Sequence, residues 1–331
     1  MSLELFGSNA SPYSCKLRAI LRYRRIPHQW RRCMPAMAPE FAGLKLKLMP
    51  MLRDSNTGEC RQESTALALQ LEQEFDGRSV LPSAEADQFI CHLIEDFADE
   101  WCTKLMFYYR WIDPRTAEES AGWIVDDTMP QTDPTARSNM IRMISERQRG
   151  RMALVGVGPD NGALLEKSMH ALLAALKPLA ESGLYLFGPR PSLADFGLYG
   201  QLLQLVTDSY PRQIIMQQAP ALRHWLTALD DASGVEGEWQ SDIAVCRDAR
   251  TALLQQIGLI YLPFLHANAQ ALQEQREQLS LGVNDLPFHQ APFAWQHKCL
   301  QQLQARWAAL SPVAKELLQQ ELADSNCLPW L

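Results

Sequence analysis

The hydrophobic period of the chain changes once, at Leu81-Pro82-Ser83, and this change constrains the fold more than any other feature. Before it, short apolar runs alternate with helical stripes. Leu3-Glu4-Leu5-Phe6 predicts a strand. From Pro12 to about Tyr23, the residues Tyr13, Leu17, Ile20 and Leu21 recur at the three- and four-residue spacing of a buried helix face. Ile26-Pro27 ends that helix, because a residue preceding proline is pushed toward extended backbone, and His28-Gln29-Trp30 predicts a second strand. Met51-Leu52-Arg53, the turn Asn56-Thr57-Gly58 and Cys60-Arg61-Gln62 predict a hairpin. A second helix starts near Ser64 and runs to Phe75. The order βαβ then ββα describes a small α/β layer. Beyond Ala86 the spacing predicts helices over 86–113, 134–150, 162–181, 192–207 and 218–230, then 246–275, 292–310 and 312–323, with almost no strand signal. The Gly- and acid-rich "ASGVEGEW" (232–239) predicts a linker. The expected division is an α/β domain over 1–82, an all-helical domain over 86–235, and a helical C-terminal extension over 236–331 packed on the helical domain.

A chain of 331 residues suits two or three domains, and 47% hydrophobic with 21% charged residues is ordinary globular composition. The net charge of −7 argues against a nucleic-acid binder, which needs a basic surface to neutralise phosphates. Lys16, Arg18, Arg22, Arg24, Arg25, Arg31 and Arg32 make the first helix and its exit basic, and are read as a solvated face. The eight cysteines are scattered, with no CxxC pair, which suits a reducing compartment. Met1-Ser2-Leu3 leads directly into the first strand without a signal-like apolar segment, and the apolar run Ile257 to Leu265 is too short to cross a bilayer. A soluble cytoplasmic protein, with no membrane or nucleic-acid partner, is expected. His289, His297 and Cys299 fit no compact zinc spacing, and no metal is expected.

Four motifs carry the chemical reading. In "SNASPYSCKLRAIL" (8–21), Pro12 suits the first turn of a helix. Ser11 before it faces unpaired backbone N–H groups and the positive helix end, where an anion is stabilised. Its hydroxyl either caps the helix or donates to a bound thiolate. Lowering a thiol pKa by about 2 units takes about 2.7 kcal/mol, the scale of one charged hydrogen bond plus a helix terminus. In "LMPML" (48–52), Pro50 among strand residues implies either a sheet edge or a cis bond that offers the backbone of Met49 to an extended peptide. In "RQESTALAL" (61–69), Glu63-Ser64 opens a helix, and Ser64 either caps it or holds a carboxylate while Glu63 faces an ammonium. In "GPRPSLADFGLYGQL" (188–202), Ser192 and Asp195 form a capping box, assigned to folding.

These motifs, in this order, resemble the glutathione transferase superfamily over residues 1 to about 230. The resemblance implies a thioredoxin-like α/β N-terminal domain followed by an all-α domain, with glutathione as co-substrate. Ser11 then matches the serine that activates the thiol in serine-type members. Met49 before Pro50 pairs with the cysteinyl part, Glu63 and Ser64 hold the γ-glutamyl end, and Lys47 reaches the glycyl carboxylate. Cysteine stands at position 11 in disulfide-exchanging members, so a glutaredoxin-like reaction is disfavoured here. Ser14 is not Cys either, and Cys15 is read as a packing residue, since one step beyond Ser14 turns it about 100° around the helix. "EDFADEWCTKLMFYYRW" (95–111) is the helix expected opposite the thiol, so Trp101, Phe107 and Tyr108, together with Tyr13, are candidates for an apolar substrate pocket. Asp96, Asp99, Glu100 and Lys104 read as surface pairs or as a polar wall of that pocket. The implied function is conjugation of glutathione to a small apolar electrophile by a homodimer. A glutathione-dependent isomerase, reductase or lyase, or a non-catalytic binding protein of the same fold, remain alternatives.

Overall fold

The computed structural model describes residues 3–35 and 38–331. The N-terminal layer is built from β1 (Leu3–Gly7), α1 (Pro12–Tyr23), β2 (His28–Arg32), β3 (Met51–Asp54), β4 (Cys60–Gln62) and α2 (Ser64–Glu74). The sheet order is β2-β1-β3-β4, with β1 and β2 parallel and the other pairings antiparallel. Leu3, Leu5 and Leu52 bury one sheet face against Leu17 and Leu21 of α1 and Leu67 and Leu71 of α2. Phe6 and Met51 point the other way, onto Phe41. The strand period of two thus fills both faces.

The helical region follows: α3 (Glu85–Phe97), α4 (Thr103–Trp111), α5 (Pro114–Thr128), α6 (Pro134–Gly150), α7 (Gly162–Ser182), α8 (Leu193–Thr207), α9 (Ser209–Gln218) and α10 (Leu222–Asp230). A π-helical turn over Ala98–Cys102 joins α3 to α4, so 85–111 runs as one long helix. Helices α1 and α8 cross closely: a Cβ on Gly200 would come within 2.6 Å of the Pro12 carbonyl oxygen. Ser192 and Asp195 form the reciprocal capping box of α8, and Asp195 Oδ1 also accepts the Leu186 N–H at 2.9 Å.

The C-terminal extension comprises α11 (Ala244–Gln256), α12 (Leu262–Gln273), the strands β5 (Leu279–Val283) and β6 (Leu286–Gln290), α13 (Ala294–Ala309) and α14 (Pro312–Asp324). Helix α11 packs on α7, while α13 and α14 pack on α3. The hairpin β5–β6 is a strand pair within a region whose sequence reads as helical. Asn284 and Asp285 close it with φ of 48° and 64°, the left-handed turn that matches strand twist.

Lys104 pins this extension to α4. It is buried, and its ammonium nitrogen lies over the rings of Phe264 and Phe288. It donates to the Val155 carbonyl at 3.0 Å and to Gln290 Oε1. The reading of Lys104 as a surface or pocket-wall charge is therefore corrected. Burial pushes its pKa down from the usual lysine range to about 7, with Glu100 opposing. Between that value and about 10.4 the unfolded chain binds the proton that the folded chain has released, so Lys104 adds stability as pH rises through this window. Urea unfolding is expected to show a gain of up to a few kcal/mol from pH 7 to about pH 9.5 that Lys104→Met lacks. Identical pH profiles for the two proteins would contradict this.

Candidate functional site

One row of the sheet gathers the candidate residues. Phe6 pairs with Met51, and Met51 with Gln62, so β1 ends, β3 begins and β4 ends at the same edge. The segments leaving that row carry Ser11, Met49-Pro50 and Glu63-Ser64. No single stretch of sequence contains all three.

Ser11 is the N-cap of α1, in extended conformation, and only 8% exposed. Its Oγ accepts the Ser14 N–H at 3.3 Å, which leaves the hydroxyl proton to donate. The loop before it is held from the helical domain. Arg110 donates to the Ala10 carbonyl at 3.1 Å while ion-paired to Asp208, and Gln204 donates to the Asn9 carbonyl at 3.2 Å. Cys15 is buried, its thiol donates to the same Asn9 carbonyl, and burial pushes its pKa up to about 12. A thiol held protonated in this way is inert.

The Met49-Pro50 peptide is cis. Leu48 beside it donates its N–H to Gln62 Oε1 at 3.1 Å, which ties this segment to β4. Lys47 is partly exposed, two residues before Met49. Glu63 has φ 82° and ψ 113°, a conformation that costs a non-glycine residue about 1–3 kcal/mol. Its carboxylate caps α2, accepting from Thr65 N at 3.2 Å and Ala66 N at 2.8 Å, so the strain is held by the helix it starts. Ser64, the first residue of α2, is buried.

Beneath this row lies a buried ionic cluster. Lys16 of α1 contacts Glu95 and Asp99 of the long helix, the latter at 2.6 Å, and Thr65 Oγ1 at 3.1 Å. Thr65 in turn donates to Glu95 at 2.6 Å. Burial alone would lower the lysine pKa, but the two carboxylates outweigh it and keep the ammonium charged. Burial and the neighbouring Glu95 push Asp99 up to about 7 despite Lys16, whereas Lys16 holds Glu95 below its usual range against its own burial. The solvated-face reading of the basic stretch is corrected at Lys16 and at Arg24, which is buried against Glu72. Asp99 is likewise interior rather than a surface partner. The short acid spacing of Glu95 and Asp99 was visible, but nothing in a single sequence pairs it with Lys16.

The candidate pocket residues separate. The Tyr13 hydroxyl meets the Asp99 carbonyl at 3.0 Å and Thr103 Oγ1 at 3.1 Å, and burial pushes its pKa well up, so it is a neutral phenol. Phe107, one turn beyond Thr103, is partly exposed on the same helix face. Trp101 is 0% exposed, its indole N–H on Ser168 and its ring against Phe264 and Phe288. Tyr108 is buried with its hydroxyl on Glu166 at 3.0 Å. Both side chains pack in the core of the helical region, because a helix surrounded on several sides buries more than one stripe. Neither faces the sheet row that carries the candidate segments, because their partners are Ser168, Glu166, Phe264 and Phe288.

Two surface hollows lie elsewhere. One of about 500 Å³ is lined by His266, Gln270, Gln273 and His297, and another of about 430 Å³ by Val206, Arg212, Arg223 and Leu226. Neither touches the residues of the sheet edge. Among the described residues, no group of three or more His, Cys, Asp or Glu is placed to hold a metal, and no helix is long and apolar enough to cross a membrane.

A thioredoxin-like layer whose strand ends present Ser11, a cis-proline segment and a strained Glu-Ser helix start, joined to a helical domain, defines the class of protein. The glutathione S-transferase N-terminal domain model matches residues 5–79, and the glutathione S-transferase C-terminal domain model matches residues 159–228. Both domain types of the glutathione S-transferase superfamily are thus matched within the chain. Among solved structures, a glutathione S-transferase from Methylobacterium radiotolerans in complex with glutathione sulfonate is 17% identical, over 74% of this chain and 98% of that one, at a TM-score of 0.45. The beta-etherase LigF from Sphingobium sp. strain SYK-6 is 16% identical over 75% of this chain and 98% of that one, at 0.46. A glutathione S-transferase from Methylobacillus flagellatus KT with glutathione bound is 18% identical over 75% and 98%, at 0.40. No curated protein matches the chain.

Lys16→Met leaves two buried carboxylates without their cation, and is expected to cost about 3–5 kcal/mol. Denaturant unfolding should show this as a lower midpoint at unchanged slope, with much of it regained in Lys16→Met/Glu95→Gln/Asp99→Asn. A fall below 1 kcal/mol in the single variant would contradict the cluster's role.

Proposed function

We propose that the chain is a glutathione transferase-like enzyme that conjugates the glutathione thiolate to small apolar electrophiles. The observation that carries this is the single sheet row Phe6–Met51–Gln62, which brings Ser11, Met49-Pro50 and Glu63-Ser64 to one edge. Glutathione lies across that edge. Its cysteinyl part pairs with the backbone of Met49, and its γ-glutamyl carboxylate meets the buried hydroxyl and N–H groups at Ser64, with Glu63 near the ammonium. Lys47 faces the glycyl carboxylate. The sulfur rests over the start of α1, where Ser11 donates a hydrogen bond and the helix end favours negative charge.

The gain comes from ionising and positioning the thiol rather than from a covalent enzyme intermediate. A free thiol of pKa about 8.5 is only a few per cent thiolate at pH 7, and a fall of about 2 units makes most of it reactive. The electrophile approaches along the face that carries Tyr13 and Phe107. A reducing, cytoplasmic setting is supported by eight cysteines that are all free thiols. The homodimer rests on the family's habit alone.

Ser11→Ala is expected to keep retention on immobilised glutathione while lowering the conjugation rate with a reactive arene about 10- to 100-fold at pH 7. The deficit should shrink toward pH 9 to 10, where the thiol ionises unaided. Glu63→Ala and Ser64→Ala should lose retention itself. An unchanged rate in Ser11→Ala across this range would overturn the assignment.

A further inference from the structure

The loop that delivers Ser11 is clamped by a carboxylate from a distant helix. Asp127, in the last turn of α5, is buried, with a side chain only 3% exposed. Its Oδ2 accepts the Ser8 hydroxyl at 2.8 Å and the Asn9 backbone N–H at 2.6 Å, and its Oδ1 accepts Asn9 Nδ2 at 2.7 Å. Arg32 stands 3.7 Å from Oδ1, half in solvent. The grip is relayed toward Ser11 along the loop. Ser8 Oγ accepts the Ala10 N–H at 3.0 Å, and the Ser8 carbonyl accepts the Ser11 N–H at 3.1 Å.

We propose that Asp127 is a positioning residue for the conjugation reaction, setting where the Ser11 hydroxyl stands by holding Ser8 and Asn9. The role rests on the reading of Ser11 given above. A buried carboxylate loses its hydration and is stable only where donors replace it. Here, among the described residues, all three donors within hydrogen-bonding distance come from Ser8 and Asn9, so this carboxylate and this loop conformation stabilise each other. The loop itself is Ser8-Asn9-Ala10, in which Ser8 and Ala10 are buried and whose carbonyls at Asn9 and Ala10 are held by Gln204 and Arg110, so Asp127 supplies the grip on its side chains and on the Asn9 N–H. An error of about 1 Å in a reacting group costs on the order of 100-fold in rate. Helix α5 therefore contributes to the site without touching glutathione or the electrophile.

The isosteric change Asp127→Asn tests this. An amide whose oxygen serves the Ser8 hydroxyl and the Asn9 N–H turns its NH2 onto Asn9 Nδ2, and the flip of the Asn9 amide that would repair this is opposed by Arg18, which donates to Asn9 Oδ1, so the clamp is weakened. The readout is the ultraviolet titration of the glutathione thiol in the binary complex, with glutathione affinity measured alongside. In Asp127→Asn the midpoint is expected to rise by about one pH unit, with affinity kept within about twofold and kcat/KM at pH 7 down about tenfold. Ser8→Ala, which removes one of the three donors and the relay to Ala10, should give a smaller shift in the same direction. It serves equally if Asp127→Asn does not fold. In Ser11→Ala/Asp127→Asn the loss should be no greater than in Ser11→Ala alone, because Asp127 acts through Ser11. Losses that multiply in the double variant overturn the proposal. So do unshifted midpoints in folded Asp127→Asn, or in Ser8→Ala, when Ser11→Ala does shift. An unshifted midpoint in Ser11→Ala itself overturns the conjugation reading instead.

Discussion

The ammonium of Lys16, enclosed by Glu95, Asp99 and Thr65, is the contact on which the rest of the structure depends. It joins α1 of the α/β layer to the long helix of the helical domain, at a depth where neither charge could stand alone. Thr65 follows Ser64 directly, and Lys16 lies little more than one turn beyond Ser11. Both candidate segments are therefore anchored to one ion cluster. The same geometry explains the glycine at position 200, since α8 must approach the first turn of α1 closely enough that a side chain would collide with the Pro12 carbonyl.

The extension supports this arrangement from behind. Helices α13 and α14 lie on α3, and Trp295 of α13 donates to Glu100 at 2.8 Å, next to Asp99. The β5–β6 hairpin reaches Lys104 through Gln290. The long helix thus bears the ion cluster toward the α/β layer, while its other sides are packed by α7 and by the extension. The two π-helical turns, Ala98–Cys102 and Ile257–Tyr261, both fall in helices that meet in this region, where Tyr261 donates to Asp96 at 2.6 Å.

The α/β layer was legible in the sequence because strand alternation and helical stripes differ in period, and because proline and glycine mark their ends. The capping box of Ser192 and Asp195 and the inert character of Cys15 were legible for the same local reasons. Helix α5 was missed because its buried face is made of Ala117, Ala121 and Val125 with Thr116 and Ser120, side chains too small or too polar to mark a stripe. The hairpin was missed because Leu279 to Phe288 alternates over only a few residues inside a helical context. Lys16, Arg24 and Lys104 read as surface charges because a lone basic residue carries no sign of its partner. Glu95 lies 79 positions beyond Lys16, and Gln290 lies 186 beyond Lys104. Trp101 and Tyr108 were placed at the pocket because their helix is the one expected opposite the thiol, whereas the packing of α7, α12 and β6 around that helix draws them inward.

The account comes down to where a thiol would lie when the protein holds it. A crystal structure of the chain soaked with glutathione measures this directly. The sulfur is expected within about 3.2 Å of Ser11 Oγ, over the first turn of α1, with the peptide backbone alongside Met49. Glutathione bound with its sulfur directed away from Ser11, or density showing the sheet edge closed by the chain's own side chains, would contradict it.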